Sequence, residues 1–254
     1  MHEKPLVDVR LDGATAVLAF DRDEKLNAIS TDVEIALGQA LDLPQVAGSR
    51  CIVFTGSGRS FSAGADLSES RDESLAGIEA YYRGSGALYE RIARLRQPSV
   101  SAIHGYCLGG GLELALATDF RIADESAIFG LPEVELGILP SSGGAHRLVR
   151  LIGAARAKEL MLIRPRFTAS EAFAYNVVTE VVAAGNAVGR ALELGARIAE
   201  LPEPAVTAIK TSADLMAESS RETSVLLERI AYAALAQTDE ARAAGERWAR
   251  RRSE

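Results

Sequence analysis

Cysteine, histidine and tryptophan are scarce: the chain holds two, three and one of them in 254 residues. With only Cys51 and Cys107, each beside apolar residues, no disulfide framework can be assembled, and two reduced thiols in a reducing compartment are expected. His2, His104 and His146 share no ligand spacing with one another or with the cysteines, so no metal site is expected. Long apolar runs are missing too. No window approaches ~18 uncharged apolar residues, and the start, MHEKPLVDVRLDG, lacks an apolar stretch with a small-residue cleavage site; a cytoplasmic location with no membrane partner is the expectation. Positive charge is also short, at 28 basic against 35 acidic residues and a net charge of −7. That balance gives no general attraction to nucleic acid or anionic lipid, so an anionic ligand has to be held locally.

What is present is an ordinary globular mix, 48% apolar and 25% charged, long enough to bury a core without staples. Residues 7–20 read as two strands about a turn at Asp12 and Gly13. Thr31 and Glu34 of TDVE fit a capping box at the start of a helix that runs to about Leu41 and stops before Pro44. Cys51–Gly56 is a buried strand feeding a Gly- and Ser-rich loop with an unusually apolar centre, FSAGADL. The segment 74–96 is helix-compatible but broken by Gly77, Gly84 and Gly86, so an irregular and mobile helix is predicted there. After Pro98 a strand, SVSAIHG, leads through a glycine triplet into LELALA, which is helical in composition; further strands are predicted over 120–123 and 127–130. This alternation is that of an α/β core. Beyond Gly143 the chain reads as almost entirely helical. With no repeat and no linker, one domain is expected, with a core over 1–190 and a helical region over 191–254.

The chemistry concentrates after the triplet. Gly109 to Gly111 run directly into Leu112 and Glu113, and Glu133 follows inside FGLPEVELGILPSSGG. A helix start offers unpaired N–H donors and partial positive charge, which suit a developing oxyanion, and carboxylates can move protons. Leu112, Leu114 and Leu116 imply that Glu113 is buried, where an unpaired carboxylate needs a reason. Pro132 and Pro140 keep the Glu133 segment irregular, and an exposed loop is the plain alternative for Glu133 and Glu135. The triplet is followed by Leu-Glu rather than Lys-Ser or Lys-Thr, so it is no P-loop, and it lacks the GxGxxG spacing of a dinucleotide cradle. SSGGAH has no acid partner that would make a serine triad.

Four segments then act together: RDEKLNAIS (22–30), FSAGADL (61–67), IHGYCLGGGLELALATDFRIA (103–123) and FGLPEVELGILPSSGGAHRL (129–148). In order and spacing the chain resembles the crotonase superfamily, and within it the enoyl-CoA hydratases. The resemblance implies an α/β spiral of ββα repeats with a C-terminal helical trimerisation region, and a homotrimer or a dimer of trimers. It implies hydration of a trans-2-enoyl-CoA thioester to a 3-hydroxyacyl-CoA, with coenzyme A as part of the substrate and no separate cofactor. Carried onto matching positions, the oxyanion-hole donors are the N–H groups of Ala65 and Gly110. Glu113 handles water and Glu133 supplies the proton. Leu26, Ala28, Ala63, Asp66, Leu67, Gly109 and Ser141 fall on substrate and CoA contacts, and Trp248 and Arg251 on an aromatic and a basic residue that reach a neighbouring subunit's ligand.

Three departures from the family pattern stand out. Ser141 replaces a glycine after Pro140, Ile163 and Arg164 replace a Thr-Gly pair, and Asp23 replaces a proline. Tyr81, Tyr82 and Tyr89 are expected to line the acyl pocket. Double-bond isomerisation, for which one carboxylate near Glu133 suffices, is the nearest alternative. Relatives that bind RNA or serve as inert scaffolds form another class, disfavoured by the acidic balance and by the presence of both glutamates.

Overall fold

The computed structural model describes residues 4–69 and 74–251, and the side chain of Arg251 lies outside the description. The chain opens on β1 (Val7–Asp12) and β2 (Thr15–Phe20), paired antiparallel with Asp12 opposite Thr15. The turn is therefore Gly13-Ala14, one residue later than the sequence indicates. α1 (Thr31–Asp42) is capped by Ser30, not Thr31: the Ser30 hydroxyl accepts from the Val33 N–H, while the Thr31 N–H is taken by Glu69 at 3.1 Å. α2 (Pro44–Ala47) and β3 (Cys51–Gly56) follow.

α3 (Leu75–Ala93) corrects the expectation of an irregular helix, because it runs unbroken through its three glycines. Ser74 caps it, and Ser85, Tyr89 and Ile92 give it a buried face at helical spacing, so packing outweighs the poor local propensity. Then come β4 (Ser99–Ile103), β5 (Tyr106–Leu108), α4 (Gly110–Ala117), β6 (Phe120–Asp124) and β7 (Ile128–Gly130). A 3-10 turn over Pro132–Leu136 leads to α5 (Gly144–Ile152) and α6 (Ala154–Leu162). Two short strands interrupt the expected all-helical remainder: β8 (Phe167–Thr168) before α7 (Ala169–Ala174), and β9 (Glu180–Val182). α8 (Ala187–Ala199), α9 (Glu203–Met216), α10 (Arg221–Leu235) and α11 (Asp239–Arg251) complete the chain.

The strands make two sheets. The larger has the order β1-β2-β3-β4-β6-β9, parallel from β2 onward, and the smaller has the order β5-β7-β8. Each turn of the spiral visits the large sheet, then the small one, then a helix: β4, β5, α4 is the clearest case, and β3 repeats it through a single bridge of Ser62 to Cys107 before α3. Side-chain alternation sorts the strands into two cores. Leu18, Ile52 and Phe54 face the main core with Leu112 and Leu114 of α4; Val17, Val53 and Val100 face Ala187, Ala191 and Ile198 of α8. α8 thus spans residue 190 and packs on the large sheet.

The loop before α1 is a second consequence of packing. Leu26 and Asn27 both adopt left-handed backbone (φ 52 and 54), and Asn27 is fully buried. Its Oδ1 accepts from the Arg22 N–H at 2.8 Å, and its Nδ2 donates to the carbonyls of Ser57 and Ser60 at 2.9 and 2.7 Å. Those bonds clamp the 22–30 loop to the FSAGADL loop, whose far end lines the site. Asn27→Ala should cost about 3 kcal/mol in urea unfolding, from lost bonds and left-handed strain, and Asn27→Gly about 1 kcal/mol less because glycine accepts the positive φ. Equal stability of the two variants would remove the strain argument.

Candidate active site

The site forms where the FSAGADL loop, the start of α4, the 3-10 turn and the start of α5 meet. Gly109 precedes α4 at φ 48 and ψ −125, a conformation that glycine adopts without strain, and its N–H donates to the Gly130 carbonyl at 2.8 Å. A side chain there would also strike Glu133, because an added Cβ would stand 3.1 Å from Oε1. Glu133 therefore lies over the N-terminus of α4. Gly110 sits beside the other loop: its added Cβ would be 3.7 Å from the Ala65 nitrogen. Neither the Ala65 nor the Gly110 N–H has an acceptor among the described residues. Two unpaired donors from separate loops thus stand next to each other.

Glu113 occupies the first turn of α4 and is only 4% exposed. Its Oε1 accepts from the backbone N–H groups of Ser142 (2.8 Å) and Gly144 (2.9 Å). Gly144 can be nothing larger, since a Cβ would fall 2.3 Å from the Glu113 Cγ. Burial raises the Glu113 pKa, while these N–H bonds and the charge of Arg147 pull it back down. Glu133 has less support, from its own backbone N–H alone. Its Oε2 is buried and without a hydrogen-bond partner among the described residues, and burial, with help from the Glu113 charge, pushes its pKa up to about 7. The two carboxyls are therefore held differently: Glu113 is raised by burial but opposed by two N–H groups and a cation, and Glu133 is raised by burial to about 7.

Both carboxylates open on one cavity of about 130 Å³, which also takes in Ala63, Ala65, Leu67, Tyr81, Tyr82, Tyr89 and Ser141. Gly109 and Gly110 line it as well. A wider depression of about 650 Å³ lies against α9 and α10, where Glu203 is paired with Arg50 and Arg96 and Glu240 also reaches the rim. Leu26 and Ala28 lie on the neighbouring loop, where the Leu26 carbonyl accepts from the Ala63 N–H. Asp66 is turned inward: Ser68, Lys25 and Arg22 surround its carboxyl and hold it well below the usual carboxylate range. It ties two loops together through its own protein partners. Trp248 lies exposed on α11, outside the cavity lining. The side chain of Arg251 and all of His2 lie outside the described residues. Among the described residues no group of histidine, cysteine and acidic side chains is placed to hold a metal ion.

Such a site is suited to proton transfer on carbon beside a carbonyl whose oxygen is held by backbone donors. The chain belongs to the enoyl-CoA hydratase/isomerase family, whose model matches residues 11–254. It is 31% identical to the short-chain-enoyl-CoA hydratase of Clostridium acetobutylicum over 87% of this chain and 85% of that protein. The crystal structure of an enoyl-CoA hydratase from Bacillus anthracis superposes with a TM-score of 0.91 at 31% identity, covering 97% and 96% of the two chains. A Thermobifida fusca structure in complex with CoA superposes at 0.84 with 27% identity, over 91% and 92%.

Reasoning from the sequence missed the partners of Glu113. The N–H groups of Ser142 and Gly144 lie 29 and 31 residues away in the chain. Backbone donors leave little mark in side-chain patterns, and the one available signal was the Gly143-Gly144 pair just before a helix. The electrostatic account has a direct check. Glu133 is raised in the folded state, so its contribution to stability is fully present below the unfolded pKa and is lost as pH rises through about 7. Urea unfolding of Glu133→Gln should lose that decline and give a flatter stability curve between about pH 5 and 8. A variant curve as steep as that of the natural protein would mean that Glu133 does not titrate there.

Proposed function

We propose that the protein adds water across the 2,3 double bond of a trans-2-enoyl-CoA thioester to give the 3-hydroxyacyl-CoA. One observation carries this reading: two backbone N–H groups without acceptors among the described residues share a single cavity with the buried Glu113 and the half-buried Glu133. With the thioester oxygen against Ala65 and Gly110, electron density drawn from the double bond collects as an enolate, which each donor stabilises by about 3 kcal/mol. Both donors are backbone and both residues are small, so nothing bulky stands between them and the thioester. Glu113, held by two N–H groups through Oε1, keeps its other oxygen for a water molecule and takes a proton from it as the water oxygen attacks Cβ. Glu133 delivers its proton to Cα, which neutralises the enolate. The cycle closes when the proton gained by Glu113 is passed back to Glu133. No electrons change hands, and coenzyme A is carried through as part of the substrate.

The same reading extends to assembly. α9 and α10 bury none of their residues, while Ile209, Leu226, Ile230 and Tyr232 are 57–76% exposed. Apolar faces of this kind favour burial against further copies of the chain, in a trimer or a dimer of trimers. Trp248 and Arg251 on α11 would then approach a neighbour's ligand rather than their own cavity. Two free buried cysteines and, among the described residues, no helix long and apolar enough to cross a membrane are compatible with the cytoplasm.

The test is loss of the conjugated thioester absorbance when the purified protein meets crotonyl-CoA and longer enoyl-CoAs. Glu113→Gln and Glu133→Gln should each lower kcat by roughly a hundredfold to ten-thousandfold with the fold intact. The rate of the natural protein should fall above about pH 7 as Glu133 loses its proton. Absence of turnover at every chain length would exclude hydration, and migration of a 3,4 double bond without uptake of water would assign isomerisation instead.

A further inference from the structure

Residues 141–143 precede α5 and belong to no strand, yet they have to stay in place if Glu113 is to keep its two N–H partners. Two contacts tether them to α3. The Ser142 and Ser85 hydroxyls are hydrogen-bonded at 2.8 Å, both side chains being buried. Arg147 makes the other tether: its Nη1 donates to the Ser142 carbonyl at 3.1 Å, and its Nη2 donates to Glu90 Oε2 at 2.8 Å. The Arg147 side chain is 15% exposed and that of Glu90 47%, so the pair is half-buried, with its cation on the inner side. Gly143, at φ 91, leaves room for it, because a Cβ there would lie 2.4 Å from Arg147 Nη1. The adjacent glycines thus have separate reasons: Gly143 admits the guanidinium, and Gly144 admits the Glu113 carboxylate.

The charges around Glu113 are unequal. Tyr89 faces it from α3, Glu133 from the 3-10 turn and Arg147 from α5. Arg147 is the one cation in that set, since His146 and Arg150 on the same helix are not among the groups acting on Glu113. A nearby cation favours the ionised form of a carboxyl and so opposes the effect of burial.

We propose that Arg147 is a positioning residue for Glu113: it pins the Ser142 carbonyl to Glu90 of α3, so that the two N–H donors stay aligned, and it sets a positive charge beside the Glu113 carboxyl. Lysine could supply the charge but not the fork that spans a carbonyl and a carboxylate. The kinetic part of this inference rests on the hydratase reading, and the titration part does not.

The experiment follows the Glu113 carboxyl by carbon-13 NMR of glutamate-labelled protein, assigned with Glu113→Gln, in parallel with kcat and KM for crotonyl-CoA. In Arg147→Gln, Glu113 should titrate at higher pH and kcat should fall about tenfold to a hundredfold, while KM changes by less than about twofold. Arg147→Lys should return the titration to its original position and restore kcat only in part. Glu90→Gln should lower kcat severalfold and leave the titration of Glu113 unmoved. An unmoved titration in a folded Arg147→Gln, or a loss confined to KM, would overturn the proposal. If the natural protein fails to hydrate any enoyl-CoA, the hydratase reading fails, and the titrations of Arg147→Gln and Arg147→Lys still decide the role of Arg147.

Discussion

A carboxylate buried at the first turn of a helix is the constraint on which the arrangement of the site depends. Placing Glu113 there without partners would cost several kcal/mol and would raise its pKa until it held a proton. The fold avoids this by bringing the start of α5 against α4, so that two backbone N–H groups converge on Oε1. Close approach follows from that requirement, and close approach demands glycine at 144, where any side chain would overlap Glu113. The orientation of α5, the loop before it and the tethers to α3 are all consequences of keeping one oxygen satisfied and the other available.

Glu133 is treated in the opposite way. Its Oε2 is buried with no partner among the described residues, a destabilising arrangement that a chain tolerates where function requires it. Two carboxyl groups of the same chemical type thereby meet different environments in one cavity, the condition under which one can accept a proton while the other gives one. In the proposed reaction the backbone donors at Ala65 and Gly110 would act on charge at oxygen rather than on protons.

Much of this is legible from residue types. Alternating apolar strands, the glycine triplet before LELALA and the two spaced glutamates point to an α/β core and an acid–base site, and the four family segments indicate which loops meet. Other features are set by contacts between distant segments. The unbroken α3 could not be read past its three glycines, because its stability comes from Tyr89 and Ile92 packing into the core. The short strands β8 and β9 each have only two or three residues and exist through pairing with β7 and β6. The ties of Asp66 to Arg22 and Lys25, more than forty residues upstream, could not be read from the sequence, because they depend on two loops meeting.

The central claim is that Ala65 and Gly110 polarise a thioester carbonyl beside the two glutamates. Difference infrared spectra of an enoyl-CoA labelled with carbon-13 at the carbonyl, bound to the slow Glu133→Gln variant, test it most directly. The account predicts that the carbonyl stretch moves to lower frequency on binding and that a proline at position 65, which removes one donor, reverses part of the shift. A bound carbonyl vibrating at its solution frequency would contradict it.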